Sequence, residues 1–287
     1  MHNFWTQLPK PIFTLAPLAN VTDAAFRRLI WSYYRENKRL MPWRNTRVPY
    51  RILVSEVMLQ QTSVERVETK YAHFMRVFPG FRALAKANVA EVLAAWKGLG
   101  YNRRALALRE AARIITETHH GRMPRTVETL IELPGIGRAT AAAVLVYSFN
   151  EALPFIETNI RRVFIHFFFP RGRQVTDAML MPLVEDALDR DNPREWYYAL
   201  MDYGAMLGKA GANANLRSAR YRRQAAFEGS LRQLRGKILA VILERGPVTL
   251  AEISREPGCA DERLGRALTR LVEEGFLRRQ GRRYSFK

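Results

Sequence analysis

Glu56 stands in the stretch "RILVSEVMLQQT", residues 51 to 62, where Ile52, Leu53, Val54, Val57, Met58 and Leu59 would spread round nearly the whole circumference of a helix. A helix apolar on every side is normally buried. A carboxylate taken into such surroundings is costly to ionise, so burial raises its pKa. A carboxyl that keeps its proton near neutral pH is what general acid catalysis requires. A Glu paired with Arg51 or Arg103 for structure alone fits the same spacing equally well.

The second candidate is "ELPGIGRATAAAVLV", residues 132 to 146. Gly135 and Gly137 flank one apolar residue between a short helix and a long Ala-rich one. That pattern suits a tight hairpin whose backbone N–H groups face outward at the next helix's N-terminus, a geometry that binds phosphate. A Gly-x-Gly alone is often only a turn.

The elements that must position these residues are helical. From about residue 23 to 228 amphipathic helical patterns dominate, punctuated by "FPGF", "GLGY" and "LPGIG". Few segments alternate with period two, so the expected class is all-α, with short turns between helices. Near residue 208 the composition shifts to an irregular basic connector, "GKAGANANLRSARYRRQ". Beyond it, three helical units and a hairpin turning at Gln280-Gly281 resemble a winged-helix module. Residues 209–287 hold 18 Lys and Arg against 8 Asp and Glu, a net +10.

Composition narrows the chemistry further. The 287-residue chain is 48% hydrophobic and carries a formal charge of +19, which implies a partner of dense negative charge, nucleic acid before an anionic membrane surface. One cysteine, Cys259, excludes a disulfide framework and a cysteine-ligated metal site within one chain. The five His show no metal-ligand spacing, and His119 and His120 fit a solvated helix end. No signal peptide or membrane span is expected, because Pro9, Pro11 and Pro17 interrupt the early apolar stretch. The expected setting is cytoplasmic and nucleoid-associated, with a monomeric chain and no membrane contact.

"PWR", "PYRILVSEVMLQQT", "WKGLGY", "LPGIGRATA" and "LMDYGAM", in this order, resemble the helix-hairpin-helix DNA glycosylase superfamily, most closely the MutY-type adenine DNA glycosylases. The likeness runs from about residue 31 to 208. It implies two helical domains, base excision from duplex DNA by nucleotide flipping, and a role in base excision repair. The division it suggests is an N-terminal extension over 1–30, one helical domain from 31–54 with 151–228, a six-helix barrel over 55–150, and the winged-helix-like module over 229–287. On this resemblance Glu56 protonates the purine leaving group, and Gln60, Gln61 and Thr62 lie near the extruded base. Tyr101 wedges into the duplex, while Gly135, Gly137 and Arg138 belong to the phosphate-binding hairpin, where a monovalent cation is also admissible.

The family places an Asp two residues before an Asn to stabilise the developing cation; here "FIETNIRRV" supplies Glu157 and Asn159. An arm one methylene longer displaces the charge by roughly an ångström. Apart from the resemblance, Glu157 is also explicable as a charge at a helix N-terminus acting on its dipole. Lyase-type relatives carry a Lys where Ala139 stands, so no lyase step is expected and water is the nucleophile. The family's four cluster-ligating cysteines correspond to Gly208, Asn215, Ser218 and Gln224, so the 4Fe-4S cluster is expected to be absent. The favoured substrate is adenine opposite 8-oxoguanine or guanine. The alternatives are a thymine or uracil mismatch glycosylase, and a non-catalytic DNA-binding protein on the same scaffold. Residues 8 to 30 also resemble the opening of tRNA dihydrouridine synthases, but nothing downstream continues that likeness and no flavin is expected.

Overall fold

The computed structural model describes residues 22–171, 173–223, 226–260 and 262–287. In chain order the helices are α1 (Asp23–Asn37), α2 (Pro49–Leu59), α3 (Val64–Val77), α4 (Phe81–Lys86), α5 (Val89–Trp96), α6 (Arg103–Glu117), α7 (Val127–Ile131), α8 (Arg138–Phe149), α9 (Thr158–Phe168), α10 (Asp177–Asp186), α11 (Pro193–Lys209), α12 (Leu231–Arg245), α13 (Leu250–Ser254) and α14 (Leu264–Glu273). The strands are β1 (Val248–Thr249), β2 (Leu277–Gln280) and β3 (Arg283–Phe286). The all-α expectation holds, with the small sheet confined to the C-terminal module.

Internal contacts divide the chain into two compact units, residues 1–40 with 150–222 and residues 41–149 with 223–287. The expected boundary after residue 54 would cut α2, whose buried Ile52, Leu53, Val54, Val57 and Met58 lie on both sides of it. The C-terminal module clusters with the second unit rather than standing apart.

In the first unit α9 packs along α11, and α1 lies against α11. The expectation of an N-terminal extension through residue 30 fails for its last part. Asp23–Ile30 begins α1, and Phe26, Ile30 and Tyr34, four residues apart, form its buried stripe. Phe26 meets Phe164, Phe167, Phe168 and Trp196 at ring-centroid separations of 5.3 to 6.0 Å. Such aromatic pairs add to the area they bury. Residues 8–21 of the dihydrouridine-synthase-like stretch lie outside the described residues.

In the second unit α2 packs against α3, α6 and α8. Helix α8 buries every residue from Ala141 to Ser148, as its small side chains allow close packing. In the module, β3 lies between β1 and β2, both antiparallel to it, with Leu277 opposite Phe286. Helix α14 turns Leu264, Ala267, Leu268 and Leu271 inward at helical spacing.

Candidate active site and nucleic-acid interface

Pro49 at the first turn starts α2 without needing its own N–H, and the apolar run beyond it buries the helix. Glu56 differs from its neighbours in being half-buried, not enclosed. The sequence reading placed it fully inside an apolar surround. The helix instead leaves Glu56 facing partly outward, as it does Arg51 and Leu59, while Ser55 and Val57 beside it are buried.

The C-terminal end of α2 is closed by a residue that sequence reasoning passed over. Arg104, in the first turn of α6, donates to the carbonyls of Val57 at 2.8 Å and Met58 at 2.9 Å, and to that of Gln60. The same guanidinium donates to Thr62 Oγ1 at 2.9 Å, Leu99 O at 3.3 Å and Gly100 O at 3.1 Å. Helix ends leave carbonyls without partners, and a planar fork with several donors satisfies them together. Burial lowers the Arg104 pKa to about 10, so it is charged at neutral pH. Arg104 stands three residues after the "GLGY" turn, next to Arg103, and nothing in the local sequence marks it out from its neighbour.

This hub brings together several of the expected residues. Gln60 Nε2 donates to Thr140 Oγ1 at 3.3 Å and reaches the Gly135 carbonyl at 3.5 Å, tying the end of α2 to the hairpin. Gln61 is exposed with φ of +56°, and Thr62 Oγ1 lies 3.4 Å from the Leu99 carbonyl. Gly98 and Gly100 have φ of +95° and +71°, which explains the glycines of "GLGY". Tyr101 follows them at φ of +48°, a backbone state that costs a non-glycine residue free energy.

The two hairpin glycines differ. Gly135 has φ of +78°, and a Cβ there would lie 2.9 Å from the Cβ of Ala107. Gly137 has no atom within 4 Å of the position a Cβ would take. Gly135 is therefore required by the fold, whereas Gly137 leaves open space before α8. Arg138 and Ala139 are exposed at the start of that helix.

Glu157 and Asn159 lie in the first unit. Tyr197 fixes the approach: its ring stacks on Phe155 at 4.0 Å, its hydroxyl donates to the Leu153 carbonyl at 3.0 Å, and it accepts from Phe155 N at 3.1 Å. Glu157 is the N-cap of α9, its Oε1 accepting from Asn159 N at 2.6 Å and Ile160 N at 3.2 Å. Burial raises its carboxyl pKa, while the backbone N–H groups of Asn159, Ile160 and Thr158 and the charge of Arg161 oppose the rise. Asn159 Oδ1 accepts from Arg162 Nη1 at 2.8 Å, which also donates to the Gly204 carbonyl at 2.6 Å. A Cβ on Gly204 would lie 2.7 Å from the Asn159 Cβ, so the glycine of "DYGAM" lets α11 approach α9.

The chain is similar over 268 residues to the adenine DNA glycosylase of Mycolicibacterium smegmatis, at 35% identity, covering 86% of this chain and 90% of the relative. The family model for the HhH-GPD superfamily of base excision DNA repair proteins matches residues 54–185. The chain belongs to this superfamily, among the relatives of the adenine DNA glycosylases. The Homo sapiens adenine DNA glycosylase is 37% identical over 200 residues, covering 66% of this chain and 36% of that protein. A thermostable thymine-DNA glycosylase of known structure aligns at a TM-score of 0.59 and 29% identity, covering 64% of this chain and 86% of that one.

The positions that correspond to the superfamily's cluster ligands do not fit an iron–sulfur group. Gly208 backs onto Arg162, whose Nη1 would lie 2.7 Å from a Cβ there. Asn215 is buried and donates through Nδ2 to the Thr158 carbonyl at 3.0 Å. Ser218 is buried where the chain bridges Val175, with Val175 N donating to Arg217 O and Ala219 N to Val175 O, each at 2.9 Å. Gln224 lies outside the described residues. Two further contacts hold this loop: Arg217 Nη2 donates to the Ile165 carbonyl at 3.3 Å, and Arg220 pairs at 3.0 Å with Asp177, which also accepts from Arg161 at 2.7 and 3.0 Å. None of these side chains is a thiolate, the ligand such a cluster needs. Among the described residues no helix is long and apolar enough to cross a membrane.

Proposed function

We propose that the chain is a monofunctional adenine DNA glycosylase of base excision repair, acting as a monomer on duplex DNA with adenine opposite 8-oxoguanine or guanine. The observation that carries this reading is Glu56, the one acid of apolar α2, in a chain 86% of which is similar to a named adenine DNA glycosylase. Glu56 protonates the departing purine, and the electrons of the C1′–N bond leave with the base. Glu157 offsets positive charge developing on the sugar. Water adds to C1′, and its proton restores the Glu56 carboxyl. Ala139 has no amine, so no Schiff base forms and no strand cleavage accompanies excision.

Gln60, Gln61, Thr62 and Asn159 contact the extruded nucleotide, Tyr101 enters the stack, and Gly135, Gly137 and Arg138 hold a phosphate, with space there for a monovalent cation. No cluster takes part. The module's order of helix, strand, two helices and hairpin supports a winged-helix reading, with the chain's excess positive charge directed to the DNA backbone.

The test is a labelled duplex with adenine opposite 8-oxoguanine, treated with alkali after incubation. Wild type should give breaks at the adenine, and Glu56→Gln should lose about 100-fold or more in single-turnover rate while still binding. Binding without breaks in wild type sinks the enzyme reading. The similarity to a thymine-DNA glycosylase supports a second reading. A T·G duplex cleaved faster than the adenine duplex would establish it instead.

A further inference from the structure

A cavity of about 1160 Å³ opens within the second unit, between the "GLGY" turn and the C-terminal module. Its wall carries Arg66, Lys97, Arg103, Arg235 and Arg270, with Glu274 as its acid. Glu274 is engaged: Arg235 donates to it at 2.8 and 2.5 Å, and Arg103 approaches at 3.9 Å. A second pair, Lys97 with Glu244 at 3.3 Å, joins the end of α5 to α12. The surplus of guanidinium groups suits a polyanion strand.

Tyr101 lies on this wall and the module reaches it directly. Arg232 of α12 donates from Nη1 to the Tyr101 hydroxyl at 2.6 Å, and its guanidinium also lies 5.5 Å from the ring centroid. Arg104 lies 5.4 Å from the same centroid. Two cations therefore fix an aromatic ring whose own backbone is held in the left-handed region. An aromatic face beside a cationic groove is equipped to stack on a nucleobase, and a ring already immobilised loses less freedom on doing so.

We propose that Arg232 is a positioning residue: acting from the C-terminal module through the Tyr101 hydroxyl, it holds the ring where a base extruded from DNA in this cleft is replaced by it. The inference rests on the glycosylase reading for its substrate. It gives the module a part in extrusion, beyond general affinity for DNA.

The experiment follows 2-aminopurine fluorescence next to the target adenine, alongside duplex Kd and single-turnover excision. The proteins are wild type, Arg232→Ala, Arg232→Lys, Tyr101→Phe and the Arg232→Ala/Tyr101→Phe pair. Fluorescence is read in the Glu56→Gln background, where extrusion is seen without chemistry. Arg232→Ala should lower both the fluorescence rise and the excision rate about tenfold, with Kd rising less than about threefold. Arg232→Lys should recover most of the loss, and the pair should be no worse than Tyr101→Phe alone, because one contact is removed twice. Additive losses, or an Arg232→Ala effect confined to Kd, would overturn the proposal while leaving the glycosylase reading intact. Absence of excision by wild type on every duplex would remove the reading and this inference together.

Discussion

Arg104 donates to the Met58 carbonyl at 2.9 Å, so a guanidinium from the first turn of α6 closes the helix that carries Glu56. The same group ties in Thr62, Leu99 and Gly100, which joins the turn after α2 to the "GLGY" turn. Removing it strands several part-buried carbonyls at once. Arg104→Ala should destabilise the fold by about 3 kcal/mol, because each unsatisfied acceptor carries a desolvation cost. Arg104→Lys should recover less than half, since an ammonium cannot span acceptors on two turns. Urea unfolding measures both, and equal stability of Arg104→Lys and wild type would refute the fork argument.

Gly135 and Gly137 separate folding from binding. Gly135→Ala meets both a positive φ and the Ala107 methyl, so a loss of roughly 1–3 kcal/mol is expected in thermal unfolding. Gly137→Ala meets open space and should leave stability within about 0.5 kcal/mol. If the hairpin approaches a DNA phosphate, the added methyl at 137 should still weaken duplex binding roughly tenfold, about 1.4 kcal/mol. Unchanged affinity would place the phosphate elsewhere.

Glu157 gives a pH signature. Its folded pKa is raised above the ordinary value of 4.5, chiefly by burial. Below 4.5 both folded and unfolded states hold the proton, and this contribution to stability is fully present. As pH climbs from 4.5 through the raised folded value, the unfolded chain has already released its proton, so stability falls across that window. Glu157→Gln keeps an oxygen for the Asn159 and Ile160 N–H groups but cannot titrate. Its stability profile should be flatter there, and its excision rate should drop if the carboxylate faces the sugar. Parallel profiles of the two proteins in urea titrations would show that the carboxyl does not titrate differently on folding.

Asp177 pairs with Arg220 of the loop over residues 214–223 and with Arg161 of α9. Asp177→Asn loosens the clamp on Arg161 and Arg220 and should expose this loop to limited proteolysis. A cost of roughly 1–3 kcal/mol is expected, because Arg161 and Asp177 are largely buried. Prolonged chelation of the wild type should change neither its proteolysis nor its excision rate. Loss of either on chelation would mean that a metal is held after all.

Much of the fold was legible along the chain because helical periodicity and glycine punctuation are local properties. The apolar run of α2 and the turns at "GLGY" and "LPGIG" stand where the sequence places them, and the closing hairpin turns one residue later than expected, at Gly281-Arg282, with Gln280 opposite Arg283. The N-terminal segment was misjudged because a likeness at residues 8–30 outweighed the Phe26, Ile30 and Tyr34 stripe, whose burial needs partners more than 130 residues away. Glu56 was expected to be enclosed, since composition gives the character of a helix but not which sector stays open. Arg104 and Arg232 could not be singled out among many arginines, because their acceptors are brought to them only by packing.

By itself the sequence determined the chemistry available: an acid in an apolar helix, a carboxylate before α9, a glycine hairpin, no lysine at 139 and no thiolates at the cluster positions. Tertiary structure alone decided that Gly204 is demanded by Asn159, and that Arg104 and Arg232 both approach the Tyr101 ring of the "GLGY" loop. The reason is physical. Residue type and local spacing fix what a group can donate, accept or ionise, whereas partners distant in the chain are chosen only when the apolar faces close on one another.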